Sequence, residues 1–233
     1  MSRMPKQVSN VATDDYLTAV YRLHHDEGQD VIAVRLADRL EITPPSVAGM
    51  LKRLQRDGLV EIDNRKVIRL TPEGLRRAEQ MVRRHRLAEC LLTDVLHVPW
   101  WRAYGEAHLL EHGISDVTEP HLFEALQRPV RSPFGYPIPG QGGPRVLTMT
   151  TLADVGEGTT VEIDRVFEED EQLLRFFDEE RIRPGQKVRL EAVAPYRGTV
   201  TASVAGRTVV MGTQVARQIW VTPLEDPQTA AGH

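Results

Sequence analysis

Between residues 129 and 144 the chain carries Pro129, Pro133, Gly135, Pro137, Pro139, Gly140, Gly142, Gly143 and Pro144. Proline lacks the backbone donor that a helix or a central strand requires, and glycine adds conformational freedom that both must overcome. No regular element can run through such a stretch, so residues 129–150 read as a linker or an extended brace. The chain must build different structures on its two sides, and the hydrophobic periodicity does change there. Before the run, apolar residues recur at helical spacing; after it, short alternating runs predominate at 159–167, 186–194, 199–205, 207–211 and 217–222, with one helical piece near 170–178.

The N-terminal side resolves into a definite order of elements. Residues 13–27 form a helix that Thr13 or Asp14 can cap, with Tyr16, Leu17, Val20, Tyr21 and Leu23 as its apolar stripe. A second helix spans 33–41, with Leu36, Ala37 and Leu40 inward. Thr43 is placed as the N-cap of a third, Pro44 fits its first turn, and Val47, Leu51 and Leu54 form its buried face as far as Asp57-Gly58. Two short apolar runs, 59–62 and 67–70, flank the polar tip 63–66 as a β-hairpin. Thr71-Pro72-Glu73 opens a long helix to about Leu96, Pro99 opens another that Gly113 stops, and a short helix covers about 116–127.

Three helices followed by a hairpin is the order of a winged helix-turn-helix, whose recognition helix lies in the major groove. The exposed face of the third helix offers Thr43, Ser46, Gly49, Lys52, Arg53 and Arg56, with Asn64-Arg65-Lys66 at the hairpin tip. Hydroxyls can bond bases or phosphates, and the cations can neutralise the backbone. Charge is distributed accordingly. The net −4 divides into +4 over residues 1–86 (sixteen Lys+Arg, twelve Asp+Glu) and −8 over residues 87–233 (thirteen and twenty-one). A polyanion partner is thus expected for the front half alone. Cys90 is the single cysteine, which excludes an internal disulfide and suits a reducing cytoplasm. No stretch has the length and apolarity of a membrane span, and MSRMPKQVSN lacks the apolar region of a secretory signal.

Residues 104–113 read YGEAHLLEHG and place His108, Glu111 and His112 at i, i+3 and i+4, on one helical face. Two imidazoles and a carboxylate form half of a divalent-metal site. The preceding helix adds His85 and Glu89, again i and i+4, and the first helix offers Asp14 and Asp15. The same five residues, 108–112, also fit the H-x-x-E-H signature of zinc metallopeptidases, in which the glutamate is the base. A peptidase needs a third protein ligand and an open coordination position, and no second helix supplies that ligand in the expected way. A winged-helix adaptor that binds no metal is the other alternative.

Taken together, Met50–Val60, Leu70–Gly74, Arg84–Glu89, Glu106–His112, Ser115-Asp116 and above all Ser132-Pro-Phe-Gly-Tyr-Pro-Ile-Pro139 resemble the diphtheria toxin repressor family of metal-dependent regulators, over nearly the whole chain. The resemblance implies a mixed α+β protein of three parts: a winged helix-turn-helix over 1–75, an all-α metal-binding and dimerisation domain over 76–140, and, after a linker at 141–151, an SH3-like β-barrel over 152–226. It implies a non-enzymatic, homodimeric repressor that binds a palindromic double-stranded DNA operator of metal-homeostasis genes when a divalent ion is bound, with no membrane partner. By position, Asp15, His108, Glu111 and His112 correspond to one metal site. Iron-responsive members carry a methionine where Asp15 stands and a cysteine where His108 stands, so this chain is similar to the manganese-responsive branch, with Mn²⁺ expected first and Fe²⁺ second. A second family site corresponds to His85, Glu89, Glu169 and Gln172, but Tyr104 replaces its remaining histidine, which points either to loss of that site or to a closer two-metal cluster. Family DNA contacts correspond to Thr43, Pro45 and Ser46, with Arg35, Lys52, Arg53 and Arg65 as further candidates. Gly49 stands where the diphtheria toxin repressor has a glutamine, so a different operator sequence is expected.

Overall fold

The structure is a computed structural model and describes residues 8–142 and 147–224. Residues 1–7 of the expected first domain, Gly143 and Pro144 of the proline-glycine run, and residues 225–226 at the expected end of the barrel lie outside them.

The first helix, α1, spans Val8–Tyr21 and continues as a π-helical turn over Arg22–Asp26. It begins before the expected position, so Thr13 and Asp14 are interior residues and not caps. Both are buried, and Asp14 takes a 2.6 Å bond from Arg77 on α4. An apolar stripe with a polar partner inside the protein sustains the helix where local signals alone would start it later. Helix α2 (Ala33–Arg39) and α3 (Pro44–Arg56) follow. Thr43 occupies the N-cap position of α3, but its side chain caps no backbone group; its hydroxyl lies 2.9 Å from that of Ser46. Strands β1 (Val60–Ile62) and β2 (Ile68–Leu70) pair antiparallel as the wing, with Asp63 accepting from the Arg65 and Val67 amides across its tip. Tyr16, Leu17, Val20, Leu36, Val47, Leu51, Leu54, Val60 and Ile68 close one core over these elements.

Helix α4 (Pro72–Cys90) is capped by the Thr71 hydroxyl, which accepts from the Gly74 amide at 3.1 Å. It is extended by a π-helical turn, Leu91–Val95. Helix α5 (Ala103–Leu110) packs against it and tightens into a 3-10 turn at Glu111–Gly113; α6 (Thr118–Ala125) follows. The proline-rich run is a brace. Phe134, Tyr136 and Ile138 are buried, Trp100 Nε1 donates to the Pro133 carbonyl at 3.1 Å, and Arg86 Nη1 donates to that of Pro137 at 2.7 Å.

The remaining chain forms an antiparallel five-stranded sheet in the order β6-β5-β4-β3-β7, from β3 (Thr160–Val166), β4 (Lys187–Ala194), β5 (Thr199–Val204), β6 (Arg207–Gly212) and β7 (Ile219–Pro223). Helix α7 (Glu171–Glu179) buries Leu174 and Phe177 against it, and the short α8 (Thr213–Ala216) leads into β7. The core under this sheet is continuous with Ala88, Leu92, Trp100, Ala103 and Ala107 of the helical region, so the sheet is seated on α4 and α5. Among the described residues no helix is long and apolar enough to cross a membrane.

Candidate metal centre

Three helical segments converge beneath α1. The second turn of α5 presents His108, and the 3-10 turn that follows presents Glu111 and His112. The helix thus ends before the last two residues of the motif, yet their side chains still meet. Glu111 is the hub: its Oε1 lies 3.1 Å from His108 Nδ1 and 3.4 Å from His112 Nε2, and its Oε2 lies 2.6 Å from His85 Nδ1 on α4. Asp15 on α1 completes the group, 3.8 Å from His112 Nε2. Two ligand sets share Glu111, namely His85-His108-Glu111 and Asp15-Glu111-His112, each with donor atoms within 4.8 Å of one another.

A third set has formed on the other side of His85, with His85 Nε2 3.0 Å from Glu89 Oε1 and Glu168 next to both. Of the two ligands expected from the C-terminal domain, neither joins it. Glu169 is held by Arg39 at 2.6 Å and Arg22 at 3.3 Å. Gln172 is exposed on α7, its backbone amide bonded to Asp170. The loop before α7 turns Glu168 inward instead, a choice made by side-chain packing that no local sequence signal distinguishes from its neighbour. Tyr104 flanks the cluster with its ring 4.9 Å from that of His85, and the Arg22 guanidinium lies 5.2 Å from the Tyr104 ring centre.

These side chains suit a divalent ion. Glu89 Oε2 and Glu168 Oε2 are buried and make no hydrogen bond, and the buried His85 Nε2 and His112 Nε2 face carboxylate oxygens of Glu89 and Glu111. A buried polar atom without a partner is costly, and a cation satisfies several lone pairs at once. The protonation pattern agrees. Burial would raise the Glu111 carboxyl, but hydrogen bonds from His108 and His85 hold it down at about 2. Burial opposes charge on His85, but Glu89 and bonds to both carboxylates outweigh it and lift the ring to about 9. Burial and the neighbouring Glu89 raise Glu168. The cluster therefore stores protons that an ion displaces on binding. All donors are nitrogen and oxygen, since burial pushes the Cys90 thiol far up and its sulfur instead faces the Arg131 carbonyl at 3.7 Å.

The candidate DNA residues lie apart from this centre. Thr43, Pro45, Ser46, Lys52 and Arg53 are exposed on α3, with Arg53 reaching Asp57 at 3.7 Å. Arg65 is exposed at the wing tip. Arg35 is exposed on α2, with a hydrogen bond to the Asp30 carbonyl.

Residues 10–68 match the iron dependent repressor N-terminal DNA binding domain, residues 71–140 the iron dependent repressor metal binding and dimerisation domain, and residues 150–223 the FeoA domain. The chain is 33% identical to the diphtheria toxin repressor of Corynebacterium diphtheriae over 225 residues, covering 91% of this chain and 97% of that one. It is 41% identical to the iron-dependent repressor IdeR of Mycobacterium leprae over 128 residues, a match spanning 55% of each chain. Among solved structures, a manganese-dependent transcriptional repressor in complex with manganese superposes with a TM-score of 0.83 at 31% identity, covering 91% of this chain and all of that one. IdeR of T. acidophilum superposes with a TM-score of 0.74 at 27% identity, covering 96% and 99%. A winged-helix front, a histidine-carboxylate centre and a seated SH3-like sheet define a metal-responsive DNA-binding protein. The chain belongs to the diphtheria toxin repressor family of metal-dependent transcriptional repressors. That family consists of regulators, which sets the peptidase reading of residues 108–112 aside.

Proposed function

We propose that this protein is a homodimeric, cytoplasmic repressor that Mn²⁺ activates for operator binding, with Fe²⁺ as the second candidate. The observation that carries the reading is the sharing of Glu111 between His85-His108 and Asp15-His112, an all-nitrogen-and-oxygen set with no sulfur. Carboxylate-rich sites suit Mn²⁺, and soft thioether or thiolate ligands do not enter here. The intrinsic affinity order still favours Zn²⁺, so metal supply in the cell completes the selectivity. We assign the first-site ligands to Asp15, His108, Glu111 and His112, with His85 in a closely coupled second position. Glu89 joins His85 there, with Glu168 in the role that resemblance assigns to Glu169 and Gln172.

Function follows from which elements the ligands span. Asp15 belongs to the DNA-binding part, taken as 1–75, and His85, Glu89 and the α5 ligands to the dimerisation part, taken as 76–140. An ion ligated by both favours one orientation of the recognition helices in the dimer, and metal affinity and operator affinity are thereby coupled. The 141–151 segment and the 152–226 barrel then act as the support that presents Glu168. In the DNA complex Thr43, Pro45 and Ser46 read bases, and Arg35, Lys52, Arg53 and Arg65 contact phosphates.

The test is a gel shift on genomic fragments selected by the protein itself, with chelator, Mn²⁺, Zn²⁺ or anaerobic Fe²⁺, for wild type and His108→Ala. Mn²⁺-dependent binding at lower free metal than Fe²⁺ needs, lost in the variant, is the expected result. Binding indifferent to chelator and to the substitution would end the metal-sensor assignment of these residues.

A further inference from the structure

Gly49 sits in the interior of α3 and on its exposed side. Glycine there costs helix stability, because it has the most backbone freedom to lose. The protein's own packing does not ask for it: a Cβ at Gly49 would meet no atom within 4 Å, and the residue has ordinary helical backbone. The contrast is Gly74 on α4, where a Cβ would fall 1.9 Å from the Leu59 carbonyl oxygen. The buried side of α3 is carried by Val47, Leu51 and Leu54. On the opposite side the row runs from Ser46 through Gly49 to Lys52 and Arg53, all exposed. Side chains thus project one turn before and one turn after a position that has none.

We propose that this gap is a specificity element that receives the 5-methyl group of an operator thymine. The proposal rests on α3 being the recognition helix. In the major groove the thymine methyl is the apolar projection among base edges that otherwise offer donors and acceptors. A donor or acceptor facing Gly49 would lose water and find no side chain to replace it, which disfavours binding. The α-helical backbone amide and carbonyl at this position are already engaged in the helix. A methyl group needs no partner, fills the gap, and lets α3 settle deeper so that Ser46 and Lys52 reach the groove on either side.

The test exchanges a methyl between the two partners. The metal-loaded protein selects its own operator, and each thymine of the half-site is then replaced by uracil in synthetic duplexes. Wild type, Gly49→Ala and Lys52→Ala are compared by titration. One thymine-to-uracil change is expected to weaken wild type about fourfold, the worth of one buried methyl. Gly49→Ala should bind that uracil duplex better than the thymine duplex, while melting no lower than wild type. Equal responses of wild type and Gly49→Ala at every thymine, with Lys52→Ala still weakening binding, would overturn the proposal and leave the recognition-helix reading standing. Unchanged affinity in both variants would remove that reading and the proposal with it.

Discussion

Glu111 touches three imidazoles, and its chemistry sets how the metal-free protein responds to pH. Its folded value of about 2 lies below the ordinary 4.5, so its contribution is present above pH 4.5 and is lost as pH falls toward 2. His85 is the reverse: at about 9 against an ordinary 6.5, its contribution is complete below 6.5 and is lost as pH rises through 9. The chelated protein is therefore expected to melt highest between these limits, near pH 5 to 6. It should lose about 5 °C by pH 9, a drop of roughly 2 kcal/mol in a chain of this size. Thermal melts in chelator check this, and a melting temperature flat from pH 5 to pH 9 would contradict the His85-Glu111 pairing. A bound ion requires neutral His85, so metal should move the optimum upward.

At the scale of elements, two residues at the start of α4 fasten it to the wing. The Thr71 hydroxyl caps the helix and donates to the Gly58 carbonyl at 2.7 Å, and Gly74 lies against the backbone of Leu59. Thr71→Ala removes a cap and is expected to cost about 1 kcal/mol. Gly74→Ala is expected to cost considerably more, because the obstructing atom belongs to backbone that cannot step aside. Urea titration of both variants gives the comparison, and a Gly74→Ala protein as stable as Thr71→Ala would show that the α4–wing contact yields. The wing, α3 and α4 were all legible from periodicity and punctuation. The start of α1 was not, since Thr13 and Asp14 look like caps and are in fact held inside by burial and by Arg77.

Across the whole molecule, the three parts meet at the end of α1. Asp26 accepts from Arg86 of α4 through its carboxylate and from Arg165 of β3 through its carbonyl, at 3.0 Å for the latter. Both arginines are fully buried, and both guanidiniums flank the Tyr136 ring of the brace, at 5.0 and 5.7 Å from its centre. Nearby, Arg22 and Arg39 tie the DNA-binding part to Glu168 and Glu169. Asp26→Ala strands the buried Arg86 charge and is expected to destabilise by about 3 to 5 kcal/mol. Denaturation read by tryptophan fluorescence (Trp100, Trp101 and Trp220 all lie outside the DNA-binding part) measures it. A loss below about 1 kcal/mol would mean that the junction is not a joint of the fold.

The amino-acid sequence by itself determined the order of elements, because helix and strand periodicities, caps and proline-glycine punctuation are local properties. It also determined the His108-Glu111-His112 motif, whose members are neighbours along one turn. Tertiary structure decided what no local spacing encodes. It brought Asp15 and His85 to Glu111 across three segments, and it set Glu168 beside His85 and Glu89 while Arg39 holds Glu169. It made the proline-rich run a buried brace, since Phe134, Tyr136 and Ile138 find apolar surface only where sheet and helices meet. Those outcomes depend on charges and surfaces far apart in the chain, which become neighbours only when the core has closed.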